Sequence, residues 1–384
     1  MSKHYFIKTF GCQQNVADGE RMASYYEARG YVPATDMDEA DLLILNTCVI
    51  RDKAEEKVYG LLRSMEERLG KERMPHVVVT GCLIGSAARE PSGKMMKRLQ
   101  KRLPEAEILP LEDIGFEIAP KRKSGKEASV VISNGCNNYC AFCIVPFARG
   151  KERSRGYQEI LTEVSDALAS GFTEIMLLGQ NVNSYGADFL MENIKEKERF
   201  ELPSGELVEP VMVQHLGRHR IPTLFTYLLR DIARLPGVEK LTFLSSNPWD
   251  FSDELIEVIA SHKNINRVLH LPVQAGSNAV IKRMNRWYTR EEYLALIAKL
   301  RAAIPEIKIT TDIIVGFPGE TLEDFEETKN IITEANFAQT FIAWYSPRPG
   351  TAATRGMLDD ISIEEKKRRF RELDALAYKG ESYY

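Results

Sequence analysis

Three short apolar runs in the first third of the chain, HYFIKTFG, DLLILNT and HVVVTG, each lead into a cysteine: Cys12, Cys48 and Cys82. Helix-patterned segments over about Asp18–Arg29 and Lys53–Leu69 separate them, and short apolar runs alternating with helices are the mark of parallel β-α-β units. The cysteines stand 36 and 34 residues apart, about the length of one such unit. All three thiols are therefore expected along the carboxyl edge of one parallel sheet, the edge on which open α/β sheets bind ligands.

A polar, basic stretch from about Pro110 to Lys126 suits an interdomain connection. A second alternating series follows: ASVVIS, EIMLLGQ, KLTFLSS, RVLHLPVQ, KITTDIIVG and QTFIAWYS, with helical patterns at Tyr157–Ser170, Asp253–Ser261, Arg290–Ala303 and Leu322–Ala335. Six β-α steps predict a barrel or partial barrel with its working residues on the loops after the strands. The charged stretch 186–221 breaks this rhythm, shows no strand period, and reads as a long loop at the active face. A charged helical segment, Ile363–Tyr378, comes last. The expected domains are 1–120, 128–362 with the insertion, and a helical tail over 363–384, since 384 residues exceed what one core usually supports.

The apolar fraction of 44% and charged fraction of 28% are those of a globular protein, and no run approaches the roughly 18 apolar residues of a membrane span. The amino terminus carries no signal pattern, so a cytoplasmic location is expected. In a reducing compartment the six cysteines favour metal binding or catalysis over disulfides. The net charge of −4 argues against a generally basic surface and leaves any RNA contact to a local patch.

The other three cysteines form Cys136-x3-Cys140-x2-Cys143, close enough for one loop after the first barrel strand to wrap a cluster. A four-iron cluster normally takes four thiolates. Each group here supplies three, which leaves one iron open, as a catalytic centre needs. The bland alternatives are a zinc site for the loop and buried apolar cysteines for the strand ends. His215 and His219, four apart in the insertion, have no evident third ligand. Gly316, Pro318 and Gly319 in GFPGE read as turn formers.

The Cys136-x3-Cys140-x2-Cys143 loop resembles that of the radical S-adenosylmethionine (SAM) superfamily. The segments TFGCQQNVADGE, LNTCVIRDKAEEK, VVTGC, NGCNNYCAFCIVPFARGKERSR, LLGQNVNSYG, LHLPVQAGSN, RMNRWYT, TTDIIVGFPGET and YSPRPGT together resemble the methylthiotransferase family, most of all its tRNA branch, over roughly residues 4–356. The resemblance implies a Rossmann-like α/β domain followed by a radical SAM partial (β/α)6 barrel. It implies two [4Fe-4S] clusters, on Cys12, Cys48 and Cys82 and on Cys136, Cys140 and Cys143, with S-adenosylmethionine as radical source and methyl donor. The reaction it implies adds a methylthio group to C2 of N6-isopentenyladenosine next to the anticodon of a tRNA, driven by a reductant such as flavodoxin or ferredoxin, in a monomer.

Gln180, Asn181, Ser246, Gln274 and Asp312, at or near strand ends, are the expected cofactor contacts. Polar residues beside turns also serve merely to satisfy the backbone. The basic run Arg149, Lys151, Arg153 and Arg155, with Phe147 as a stacking surface, is the expected tRNA contact, against the reading of a solvated face. Family members normally continue into a small β-barrel, the TRAM domain, which is expected to be absent because the chain stops at Tyr384; Ala275 also stands where the family suggests serine. Same-fold alternatives are methylthiolation of threonylcarbamoyl-adenosine or of a ribosomal-protein aspartate. An alternative of another class is a non-catalytic iron–sulfur electron carrier.

Overall fold

The computed structural model describes residues 3–49, 54–115, 118–122, 125–193, 199–215 and 219–377. It divides into two compact units. The first comprises residues 1–125, 134–136 and 144–151, and the second comprises 126–133, 137–143 and 152–384. Two short pieces from around the second cysteine motif thus fold with the amino-terminal third.

In the first unit, strands β1 (His4–Thr9), β2 (Val32–Pro33), β3 (Leu42–Thr47), β4 (His76–Gly81) and β5 (Glu107–Ile108) form one parallel sheet in the order β2-β1-β3-β4-β5. The edge strands β2 and β5 are two residues long, too short to show a period in sequence. Every residue of β3 is buried, as expected for a central strand covered on both faces. Leu43 and Leu45 pack with Val77, Val79, Val58 and Leu99 on one face, while Leu42 and Ile44 pack with Val78, Met22 and Tyr26 on the other. The helices are α1 (Gln13–Glu27), α2 (Ala54–Leu69), α3 (Cys82–Arg89) and α4 (Lys94–Arg102), joined by α5 (Val145–Arg149) from later in the chain. Helix α1 starts five residues earlier than expected, because helical geometry begins directly after Cys12 and not at the first acidic residue.

The second unit opens with β6 (Glu127–Val131); the two-residue strands β7 (Ser133–Asn134, its Asn134 counted with the first unit) and β8 (Arg153–Ser154), helix α6 (Tyr157–Ala169) and β9 (Glu174–Leu178) follow in the chain. After the insertion come α8 (Phe225–Ala233), β14 (Lys240–Phe243), α9 (Asp253–Ser261), β15 (Val268–His270), α10 (Asn278–Arg283), α11 (Arg290–Ala303), β16 (Lys308–Val315), α12 (Leu322–Ala335), β17 (Gln339–Trp344), α13 (Ala352–Gly356) and α14 (Ile363–Ala377). Parallel pairing gives β6-β9-β14 and β15-β16-β17, and an isolated parallel bridge joins Leu241 of β14 to Ile265 in the segment leading into β15. Among the described residues β17 does not pair back to β6, so this is a partial (β/α)6 barrel. Ile309, Ile313 and Val315 of β16 enter the core with Tyr293 and Ile297 of α11 and Phe325 and Ile331 of α12. Thr310 and Asp312, on the alternate face, meet His270 of β15. Capping boxes at Thr289/Glu292 and Thr321/Asp324 fix the starts of α11 and α12. No helix among the described residues is long and apolar enough to cross a membrane.

The insertion is not a structureless loop. It holds α7 (Ala187–Asn193) and two antiparallel hairpins, β10 (Phe200–Glu201) with β11 (Leu207–Val208) and β12 (Val211–His215) with β13 (His219–Thr223). Val211, Val213 and Ile221 pack with Ala187 and Tyr227 in a small core of their own. Exposed Met212, and Pro222 within β13, mask the alternation that would have revealed the strands. The side chains of His215 and His219 lie outside the described residues.

Candidate metal centres and cofactor site

Cys12, Cys48 and Cys82 sit at the carboxyl ends of the neighbouring strands β1, β3 and β4, as their spacing predicts. Cys12 is the residue before α1 and Cys82 is the first residue of α3, so two helix amino termini lie at thiols, where their dipoles favour thiolate. Asn15 ties the group together. Its Oδ1 accepts from the Cys12 thiol at 3.4 Å, and its Nδ2 lies 3.1 Å from the Thr47 carbonyl, 3.2 Å from Asn46 Oδ1 and 4.0 Å from Cys82 Sγ. Gly81 has a φ of 94° and lies so close to the Thr47 backbone that a Cβ would collide with it. Only glycine turns the chain here from β4 into Cys82.

Cys48 and Cys82 are buried, and burial pushes the Cys82 thiol up, against the pull of Arg149. Among the described residues no three His, Cys, Asp or Glu side chains converge tightly enough for a single ion. Ligands of one ion stand roughly 4 Å apart or less, given metal–sulfur bonds of about 2.3 Å. Thiolates on separate irons of a cubane sit wider, so three thiols at the ends of neighbouring strands, two helix dipoles and a buried cation fit a cluster better than a single zinc ion.

Of the second motif, Cys136 belongs to the first unit and Cys140 and Cys143 to the second. In the first unit the Cys136 amide donates to the Gly150 carbonyl at 3.2 Å. In the second, the Cys143 amide donates to the Cys140 carbonyl at 2.9 Å, and the intervening Ala141 amide donates to the Met284 carbonyl at 2.8 Å. Tyr139 adopts a φ of 48°, and Asn285 Nδ2 donates to its carbonyl. Arg286 Nη1 lies 3.6 Å from Cys140 Sγ. None of Asn15, Asn46, Asn285 and Arg286 was expected from sequence, although all four lie inside the segments that resemble the family.

Of the expected cofactor contacts, Asn181, Ser246 and Gln274 are buried after β9, β14 and β15. Asn181 Nδ2 donates to Asp250 at 2.7 Å while its Oδ1 has no partner; Ser246 Oγ, Gln274 Oε1 and the nearby Asn183 Nδ2 also have none among the described residues. Gln274 holds a φ of 69°. A buried polar atom left unbonded costs about 1–3 kcal/mol, so four such atoms on strand-end loops call for a polar ligand. They fit the amino, carboxylate and ribose groups of S-adenosylmethionine. Gln180 is half-buried after β9. Asp312 stands apart, its carboxylate partly exposed and 3.2 Å from His270 Nε2 on the alternate face of β15-β16.

The basic run divides. Arg149 is buried, bonded to Asp18 at 2.6 Å and to Asn134 Oδ1 at 3.0 Å. Arg155 is buried too, bonded to Glu163 at 2.6 Å and to the Val131 carbonyl at 2.8 Å. Both are engaged inside their own units, which corrects the expectation that all four cations face RNA. Lys151 and Arg153 are exposed.

A family model described as the radical SAM superfamily matches residues 130–332, and one described as uncharacterized protein family UPF0004 matches residues 4–102. A tRNA-2-methylthio-N(6)-dimethylallyladenosine synthase from Carboxydothermus hydrogenoformans is 40% identical over 401 residues, covering 97% of this chain and 82% of that protein. An enzyme of the same name from Thermotoga petrophila is 38% identical over 388 residues, covering 96% and 80%. A solved radical S-adenosylmethionine methyltransferase from Kitasatospora setae is similar in fold, with a TM-score of 0.60 at 13% identity over 92% of this chain and 77% of that one. On this likeness in sequence and fold, the chain belongs to the methylthiotransferase family of radical S-adenosylmethionine enzymes.

Proposed function

We propose that the protein adds a methylthio group to C2 of N6-isopentenyladenosine next to the anticodon of tRNA, the reaction of EC 2.8.4.3. The observation that carries this reading is the near full-length identity to synthases of that name, with all six cysteines at the two motifs. The family's cofactors are S-adenosylmethionine and [4Fe-4S] clusters. When bound, they supply a methyl group and hydrogen-abstracting radical chemistry, which a carbon without an acidic proton requires.

The chain's own residues hold and orient. Cys12, Cys48 and Cys82 would hold one cluster at the sheet edge, and Cys136, Cys140 and Cys143 the other; in each the fourth iron is left to a non-protein ligand. Asn181, Asn183, Ser246 and Gln274 would bond the polar groups of S-adenosylmethionine, with Asp250 fixing the Asn181 amide. Gln180 and Asp312 would make more distant contacts, Asp312 from beside His270. Lys151 and Arg153 would meet the tRNA backbone. The protein would work in the cytoplasm, as a monomer, with a flavodoxin- or ferredoxin-type reductant.

Nucleoside analysis of tRNA from a strain lacking the gene tests the reading. The 2-methylthio derivative should vanish and N6-isopentenyladenosine accumulate, and reintroducing the gene should reverse both. Unchanged 2-methylthio content would contradict it, as would loss of methylthiolation from a threonylcarbamoylated tRNA or a ribosomal protein instead.

A further inference from the structure

Arg286 is an arginine with 6% exposure whose guanidinium is held on every side. Nε donates to the Tyr288 hydroxyl at 2.9 Å and Nη2 to the Pro272 carbonyl at 2.8 Å, while Nη1 points to Cys140 Sγ at 3.6 Å. The guanidinium carbon lies 4.7 Å from the centre of the Trp249 ring and 5.3 Å from that of Tyr288, and these two rings stack on each other at 5.7 Å. The Tyr288 hydroxyl is itself fixed by the Val273 carbonyl at 2.5 Å. Its bonds therefore go to neutral oxygens, and the one partner that becomes an anion is the Cys140 sulfur. Burying a cation this way is costly unless a negative charge meets it.

We propose that Arg286 is a positioning residue for the iron–sulfur cluster of the Cys136-x3-Cys140-x2-Cys143 loop, donating to the Cys140 thiolate and raising the cluster's reduction potential. A reduced cluster carries one more negative charge than an oxidised one, so a fixed cation stabilises the reduced form more. Hydrogen bonds to cluster sulfurs and net local charge are the levers that set such potentials. Only a planar fork serves Tyr288, Pro272 and Cys140 at once while lying against two rings, so lysine is an incomplete substitute. The arrangement holds the charge at one ligand without engaging the open iron, which stays available. Because Arg286 follows α10 and packs beneath the loop after β15, it also ties the cluster loop to the segment bearing Gln274. The inference rests on the reading of this triplet as cluster ligands.

The test is a redox titration followed by electron paramagnetic resonance of the full chain carrying Cys12→Ala, Cys48→Ala and Cys82→Ala, so that one cluster is read, with iron and sulfide counted in each sample. R286M should keep its iron and titrate at a more negative potential, and R286K should fall between it and the parent. An unchanged midpoint in R286M with full iron overturns the proposal. If R286M sheds iron while R286K keeps it, the charge is what holds the site and the proposal stands; if both shed it, Arg286 serves packing and the proposal fails. A parent that binds no iron with Arg286 intact would overturn the ligand assignment itself, a separate failure visible before any Arg286 variant is made.

Discussion

The two cysteine triplets are built by opposite means. Cys12, Cys48 and Cys82 come from three strand ends, 36 and 34 residues apart, and meet only when β1, β3 and β4 have paired. Cys136, Cys140 and Cys143 lie within one loop, brought close by chain connectivity alone. Each neighbourhood also holds a buried arginine, and these differ in the same spirit. Arg149, in the first unit, is matched by the Asp18 carboxylate, whereas Arg286 is held by carbonyl, hydroxyl and aromatic rings with the Cys140 sulfur as its anionic partner. A site assembled by the fold carries its charge compensation within the fold; a site on a loop leaves the cation directed at the ligand.

The largest effects should separate the triplets by task. Cys140→Ala should abolish formation of 5′-deoxyadenosine under anaerobic reducing conditions. Cys12→Ala should keep that cleavage and lose the methylthiolated nucleoside. Equal loss of both readouts in both variants would erase the distinction. Next, Arg149→Met leaves the nearly buried Asp18 carboxylate without its partner, for which about 3–5 kcal/mol of destabilisation is expected in denaturant unfolding. A variant of full stability but weakened tRNA binding would return Arg149 to the RNA surface.

A smaller effect is expected at Gly85, where a Cβ would strike the Ala148 carbonyl as α3 and α5 pack within the first unit. Gly85→Ala should cost about 1–3 kcal/mol, by the usual penalty of overpacking, and lower iron retention at the strand-end triplet first. Loss from the loop triplet instead would break the assignment of this contact. Lys151→Ala with Arg153→Ala should change stability by less than about 0.5 kcal/mol while weakening tRNA binding and flattening its salt dependence. An unaltered salt slope would remove both from the interface.

The mildest effect concerns α14 of the second unit. Hydrogen bonds from Arg368 and Arg369 hold the Glu365 carboxyl down to about 2, below its ordinary 4.5. Its stabilising contribution is therefore fully present above about pH 4.5 and is lost as pH falls toward 2. Glu365→Gln should flatten that part of the stability profile, and an unchanged profile would assign the acid response elsewhere.

The strand-end cysteines were legible in the sequence because β-α-β spacing converts directly into position along a sheet edge. The six barrel strands and most of their helices were legible because period and capping are local properties. The hairpins of the insertion were not, since Met212 and Pro222 disguise β12 and β13 and the two-residue strands β10 and β11 are too short to show a period. Neither was the division of the basic run, because whether Arg149 reaches solvent or Asp18 depends on a partner 131 residues away. The same holds for Arg286, which stands 146 residues from Cys140. Residue types announce that a charge is present; only tertiary packing says what it meets.

The most direct measurement is the iron and sulfide content of the anaerobically purified chain beside two triple-alanine variants, one at Cys12, Cys48 and Cys82 and one at Cys136, Cys140 and Cys143. Two independently held clusters predict that each variant keeps half the iron of the parent, with only the first still cleaving S-adenosylmethionine. Loss of all iron from either variant, or no loss from one of them, would contradict the assignment of one cluster to each triplet.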